Sequence, residues 1–251
     1  MVCYQHDDPW GPLYKGTWRR RRFWKYYIAG IPHFDLHFLK KRPLDYDEIV
    51  RCGAKRVERV WLYFVPSLHR PVKLNEEELE SYACDVVFVG HYEPDGRWEC
   101  LRALVKAGLR VRLFGGGNTW NRRISGDLTP YFGSIRPAMG DDYAKALCGA
   151  RMCLCFLSRL NRDTFTRRCF EIPACGRLLL CERTPDLQAL FKEDEEAVFF
   201  SSKDELVEKA LWLHEHPDDA QIIARAGSRR VHEDGHSVDD RMREFLKIIG
   251  N

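Results

Sequence analysis

The sequence predicts an α/β chain built on parallel sheets, and three observations carry that prediction. Strand-like and helix-like segments alternate along all 251 residues, as parallel strands joined by helical crossovers require. Candidate strands such as Val86–Val89 and Leu178–Leu180 are continuously apolar, the pattern of a strand buried on both faces. Between them and the first strands, Pro66 to Asn75 holds two prolines and returns to polar residues, which marks a linker. The expected domains are therefore a small unit over residues 1–75 and a larger one over residues 76–251.

Taken in order, Met1 to Gln5 is short, apolar and strand-like, and it ends in His6-Asp7-Asp8-Pro9. An acid such as Asp8 at the carboxyl end of a parallel strand stands where α/β proteins place ligands. The same residues are also turn formers before a proline. Thr17 to Ala29 interleaves Arg19 to Arg22 with Trp18, Phe23, Trp24, Tyr26 and Tyr27. Such a run can contact nucleic acid, a membrane surface or an anionic acceptor; an amphipathic helix with its aromatics packed inward is the favoured reading. Phe34–Leu39 and Val57–Phe64 read as strands, with a helix from Asp45 to Cys52 between them. Asp45 and Glu48 have capping-box spacing, so Asp45-Tyr46-Asp47 is read as a helix start rather than a metal motif.

The second unit opens with the strand that ends at Gly90 and a helix around Pro94 to Ala107, closed by Gly108. Val111–Phe114 is the next strand, running into Gly115-Gly116-Gly117-Asn118. Glycines there permit close backbone approach to a phosphate, although three in a row also make an ordinary turn. A helix from Asp141 to Leu147 and a strand from Met152 to Leu157 follow. Arg162 to Glu182 is the most informative stretch: Phe165, Cys169 and Ile172 share a helical face, Pro173 and Gly176 end the helix, and the apolar strand comes next. Glu171, Arg167 and Arg168 thus sit on a short helix beside a buried strand. A carboxylate suits two ribose hydroxyls and arginine suits a diphosphate, while a plain Glu171–Arg168 pair on a solvated helix is the bland alternative. Leu187–Phe191, a strand at Ala197–Phe200 and three final helices, two of them begun by Ser202 and Pro217, complete a Rossmann-like unit.

Composition is that of an ordinary globular protein, with 45% hydrophobic and 31% charged residues. No apolar run of about 18 residues is present, and Asp7 and Asp8 break any signal-peptide core, so neither a membrane span nor a leader is expected. Many of the ten cysteines lie within apparent strands and helices, which suits buried thiols in a reducing, cytoplasmic compartment. None has zinc spacing, so no metal site is expected. The net charge of +3 splits into +8 over residues 1–75 and −5 over the remainder, consistent with an anionic partner near the first unit.

The run Arg168, Glu171, Ile172, Pro173, Ala174 and Gly176 matches R-x-x-E-I-P-A-x-G, and with it the chain resembles the CgeB/YkvP-like group of GT-B glycosyltransferases. Further pieces resemble the same group: Phe88-Val-Gly90-His91-Tyr-Glu-Pro followed by Arg97, Leu113-Phe-Gly115 followed by Trp120, and Ile223-Ala224 with Gly227, Arg230, His236 and Arg241. The resemblance runs almost continuously over residues 83–249 and is looser over residues 1–72. It implies a GT-B-like fold whose Rossmann-like second domain holds a nucleotide-sugar donor and whose first domain holds the acceptor. It further implies that Glu171 accepts ribose hydroxyls, and that Arg168, Gly90, His91 and Gly115 to Gly117 surround the diphosphate. Arg97 would neutralise leaving-group charge in place of a metal, Asp163 would contact the sugar, and Asp8 would stand on the acceptor side. Asp163 departs from the family's usual glutamate. The first unit has too few strands for a complete GT-B domain, so a partner chain or a preceding segment is expected to complete its sheet. Two other readings stay open: a donor-binding module without turnover, and a nucleotide-sugar epimerase.

Overall fold

The computed structural model describes residues 1–12, 18–40, 46–123, 129–132 and 135–250. Asp45, the expected helix cap, lies outside the described residues. The chain forms two compact units, each discontinuous in sequence: Met1–Leu62 with Leu157–Thr164 and Asp239–Asn251, and Tyr63–Phe156 with Phe165–Val238.

The first unit holds a parallel sheet of β1 (Val2–Gln5), β2 (Leu36–Leu39) and β3 (Val57–Arg59), in that order. Its central strand is buried along its whole length, and the one polar member, His37, has its Nε2 3.1 Å from Ile31 O. Alternation divides its side chains. Leu36 and Phe38 join Val60, Tyr4, Phe245 and Ile248 in one cluster, while Leu39 joins Ile31 and Ile49 in another. The terminal helix, Val238–Ile249, supplies Phe245, which stacks on Phe38 at 4.3 Å between centroids.

Two sequence expectations are modified here. The expected strand to Phe64 is shorter, because Phe64 leaves the sheet and pairs with Ser237 instead. The expected single helix at Thr17 to Ala29 is two short ones, Trp18–Phe23 and Lys25–Gly30. Tyr27 and Ile28 pack inward, but Trp18, Phe23 and Tyr26 are exposed by 62%, 64% and 80%. Two one-turn pieces that meet at Trp24 do not share a single inward stripe.

The second unit is a five-stranded parallel sheet: β4 (Cys84–Val89), β5 (Val111–Phe114), β6 (Ala150–Cys155), β7 (Leu178–Glu182) and β8 (Val198–Phe200). The order is β5-β4-β6-β7-β8, with all neighbours parallel. The chain starts at β4, steps to one side and then reverses, so the topological switch point lies between β4 and β6. Helices Arg97–Lys106 and Lys203–Glu215 cover one face, burying Leu101, Leu104, Leu206 and Leu213 against Val86, Phe88, Met152 and Leu180. Helices Asp141–Cys148, Arg168–Ala174 and Pro217–Glu233 also pack on the strands. The mixed α/β architecture with Rossmann-like parallel sheets is the one the sequence predicts. Among the described residues, no helix is long and apolar enough to cross a membrane.

Candidate functional site

The helix Arg168–Ala174 is almost wholly buried between β6 and β7 in the chain. Pro173 occupies its last turn, and Gly176 follows with a φ of +69°, a left-handed turn that ends the helix as its sequence predicts. Glu171 is only 7% exposed. Its Oε2 accepts a 2.7 Å hydrogen bond from the Tyr143 hydroxyl, and its Oε1 lies 3.1 Å from Arg167 Nε and 3.6 Å from His69 Nε2. In place of the bland alternative, a Glu171–Arg168 pair on a solvated helix, Glu171 sits in a cluster of four side chains with Tyr143, Arg167 and His69. A carboxylate offers about four acceptor positions, and protein groups face three of them here.

Each partner has a defined protonation logic. His69 is 6% exposed, and its Nδ1 accepts from the Val65 N–H at 2.8 Å. In a neutral ring that leaves the proton on Nε2, the nitrogen facing Glu171. Burial pushes the His69 pKa down, with Glu171 opposing and Arg167 reinforcing. Burial first, and then the Glu171 charge, push the Tyr143 phenol well up, so it stays a donor. Arg167 is the exposed member, and its guanidinium lies 5.4 Å from the Tyr63 ring centroid. Arg168 is half-buried. Burial works against its charge, but Cys155, Tyr143 and Glu171 offset this and hold its pKa above the ordinary value.

The glycine loops lie at adjacent strand ends. Gly90 follows β4 at the switch point, where open α/β sheets bind ligands; its N–H donates to Phe114 O at 2.9 Å and its carbonyl accepts from Trp120 Nε1 at 2.9 Å. A Cβ at Gly115 would stand 2.1 Å from that same carbonyl, whereas one at Gly116 would meet nothing closer than His91 Nδ1 at 3.6 Å. Gly115 is therefore required by loop-on-loop packing, and Gly116 is free of that constraint. Gly117 begins the one-turn helix Gly117–Trp120, and the His91 side chain is exposed. Arg97 is 3% exposed. It donates to both Asp95 oxygens at 2.8 and 2.6 Å and to His91 O at 2.6 Å. Its charge is thus directed into the Gly90–Arg97 loop, where it fixes the backbone of His91.

Asp8 and Asp163 come together in the first unit. Asp8 is fully buried and ion-paired with Arg162, which also reaches Glu48 at 3.2 Å. Asp163 pairs with Lys40 at 2.6 Å and accepts from Asn161 Nδ2 at 2.8 Å; Asn161 Oδ1 in turn accepts from the Asp8 N–H at 2.6 Å. Arg162 holds a positive φ of 49° in this segment. The two acids thus belong to one network, each with its own cation.

Sequence reasoning missed His69 and Tyr143. His69 lies in the stretch taken as a linker, and Tyr143 lies in the helix Asp141–Cys148, where its spacing marks nothing. Only the fold brings them to Glu171.

A five-stranded parallel sheet that reverses between β4 and β6, with helices packed on its strands, defines a Rossmann-like unit. The sequence matches agree: residues 97–247, more than half the chain, match the glycosyl transferase-like family, and the chain belongs to it. No curated protein matches the sequence. Solved structures share the fold. Anabaena HepE in complex with UDP and glucose superposes with a TM-score of 0.74 at 11% identity, over 100% of this chain and 71% of that one. Sucrose-phosphate synthase from Thermosynechococcus elongatus gives 0.66 at 16% identity, over 95% and 62%. A mutant of S. aureus TarM in complex with UDP and sugar ligands gives 0.68 at 10% identity, over 99% and 50%.

Proposed function

We propose that the chain is a GT-B-type glycosyltransferase that takes a sugar from a nucleotide-sugar donor, and that within its family it stands with the CgeB/YkvP-like group. The observation that carries the reading is the family match over residues 97–247, which spans both the Gly115–Gly117 loop and the Glu171 helix. HepE has been solved with UDP-glucose, which supports a donor of that chemical class here.

In this reading Glu171 accepts the ribose hydroxyls, which take acceptor positions that Arg167 and His69 now face. Arg168, Gly90, His91, Gly115, Gly116 and Gly117 surround the diphosphate. Backbone N–H groups and a guanidinium stabilise the charge that develops as the nucleoside diphosphate leaves, so the transfer needs no metal. Arg97 acts by positioning: its bonds to Asp95 and His91 O fix the loop that carries Gly90. Asp163 is assigned to the sugar and Asp8 to the acceptor side. Free thiols at all ten cysteines support a cytoplasmic location.

One observation favours a second reading, a donor-holding module without turnover: Asp8 and Asp163 are each already neutralised by a cation. Calorimetry against UDP, GDP and their sugars, followed by a donor-hydrolysis assay, decides. Binding with nucleotide release supports the enzyme, binding without release under any acceptor supports the module, and no binding of either nucleotide overturns both.

A further inference from the structure

Beneath the Glu171 helix, three sulfurs face one another. Cys155 on β6 and Cys181 on β7 are direct partners in the parallel register, so their side chains leave the sheet side by side on one face. The helix Arg168–Ala174 lays Cys169 over them. The three Sγ atoms lie within 4.8 Å of one another, Cys155 and Cys169 at 4.0 Å, and all three residues are fully buried.

We propose that Cys155, Cys169 and Cys181 form a thiolate site for a closed-shell thiophilic metal ion, Cu(I) or Zn(II). With metal–sulfur bonds of about 2.3 Å, a trigonal site needs sulfurs about 4.0 Å apart, and a tetrahedral one about 3.8 Å. The Cys155–Cys169 spacing of 4.0 Å already matches the trigonal value, and no sulfur pair in the triangle exceeds 4.8 Å. The set is sulfur alone, with no carboxylate or imidazole, and all-thiolate ligation selects soft or borderline ions over calcium or magnesium.

Charge also fits. Zn(II) with three thiolates carries one negative charge. Arg168, whose Nε is buried without a hydrogen-bond partner, faces Cys155 and supplies one positive charge. Each ligating thiol releases its proton to solvent, and no electron changes hands. Because the sulfurs are sealed from solvent, the ion enters as the unit folds. There it pins the Glu171 helix to β6 and β7. The inference does not rest on the donor assignment.

The test uses the full chain, purified from zinc- or copper-supplemented cells and also refolded without oxygen in Zn(II), Cu(I) or Co(II). Elemental analysis is expected to find about one ion per chain, and Co(II) to give the intense thiolate-to-metal absorption of sulfur ligation. Retention of zinc or of copper names the ion. Cys169→Ala is expected to lower the bound metal at least about tenfold, while Cys100→Ser, outside the cluster, keeps it. If Cys169→Ala does not fold, Cys181→Ala and the wild-type metal content stand in its place. Stoichiometry below about one tenth after every loading route, or full retention in the cluster variants, overturns the site.

Discussion

Replacing Glu171 by glutamine tests the proposed donor site at its centre. The substitution keeps the shape of the side chain and removes its charge, and the structure gives the consequences for folding and binding separately. For folding, Arg167 is 42% exposed, so losing its ion pair costs little. The main loss is that the 2.7 Å Tyr143 bond changes from charge-assisted to neutral, worth about 1 kcal/mol. In a chain of this length that lowers Tm by about 2–4 °C, and the variant stays folded. For binding, two ribose hydroxyls that donate to a carboxylate would meet an amide with one acceptor. The loss is about 1–3 kcal/mol, which raises Kd for the nucleotide about 5- to 150-fold. Calorimetry with the nucleotide that binds the wild type measures this, with circular dichroism to establish the fold. An unchanged Kd in folded Glu171→Gln would remove Glu171 from the site and leave the Tyr143–Glu171 bond as a packing feature.

Two further outcomes follow from local geometry. Gly115→Ala places a Cβ 2.1 Å from Gly90 O, a backbone atom that cannot swing aside. It should destabilise the protein by about 1–3 kcal/mol, while Gly116→Ala, with 3.6 Å of room, should leave Tm nearly unchanged; equal melting of the two refutes the loop-on-loop account. His69 is held below its ordinary pKa chiefly by burial. Below about pH 6.5 the unfolded chain gains a proton that the folded chain resists, so stability falls as pH drops through that range. His69→Gln should flatten the fall in Tm between about pH 7 and pH 5.5, and parallel profiles for the two proteins would disprove it.

Much of the second unit is legible from residue pattern, because stretches such as Val86–Val89, Met152–Cys155 and Leu178–Leu180 are continuously apolar and its helix ends carry their own punctuation. Leu178 to Leu180 and Gly176 announce β7 and the turn before it, and they do so through local chemistry alone. The surroundings of Glu171 are not local. His69 stands between two prolines in a polar stretch, and its meeting with a carboxylate 102 positions later leaves no periodic trace. The same holds for Cys155, Cys169 and Cys181: their spacings match no metal motif, and only the β6–β7 register and the helix above bring the sulfurs together. Nor does Gly115 reveal from sequence that the Gly90 carbonyl fills the space where a side chain would begin. Spacing rules describe partners within one element, whereas these contacts join different elements.

The stacking of Phe245 on Phe38 has a temporal side. A ribosome delivers the β2 aromatic more than 200 residues before its cover, a delay of about 10–40 s at ordinary elongation rates. Throughout that interval Leu36 and Phe38 lack their final apolar lid. The nascent amino-terminal sheet is thus a natural client for a holding chaperone, and slowed translation should increase its capture.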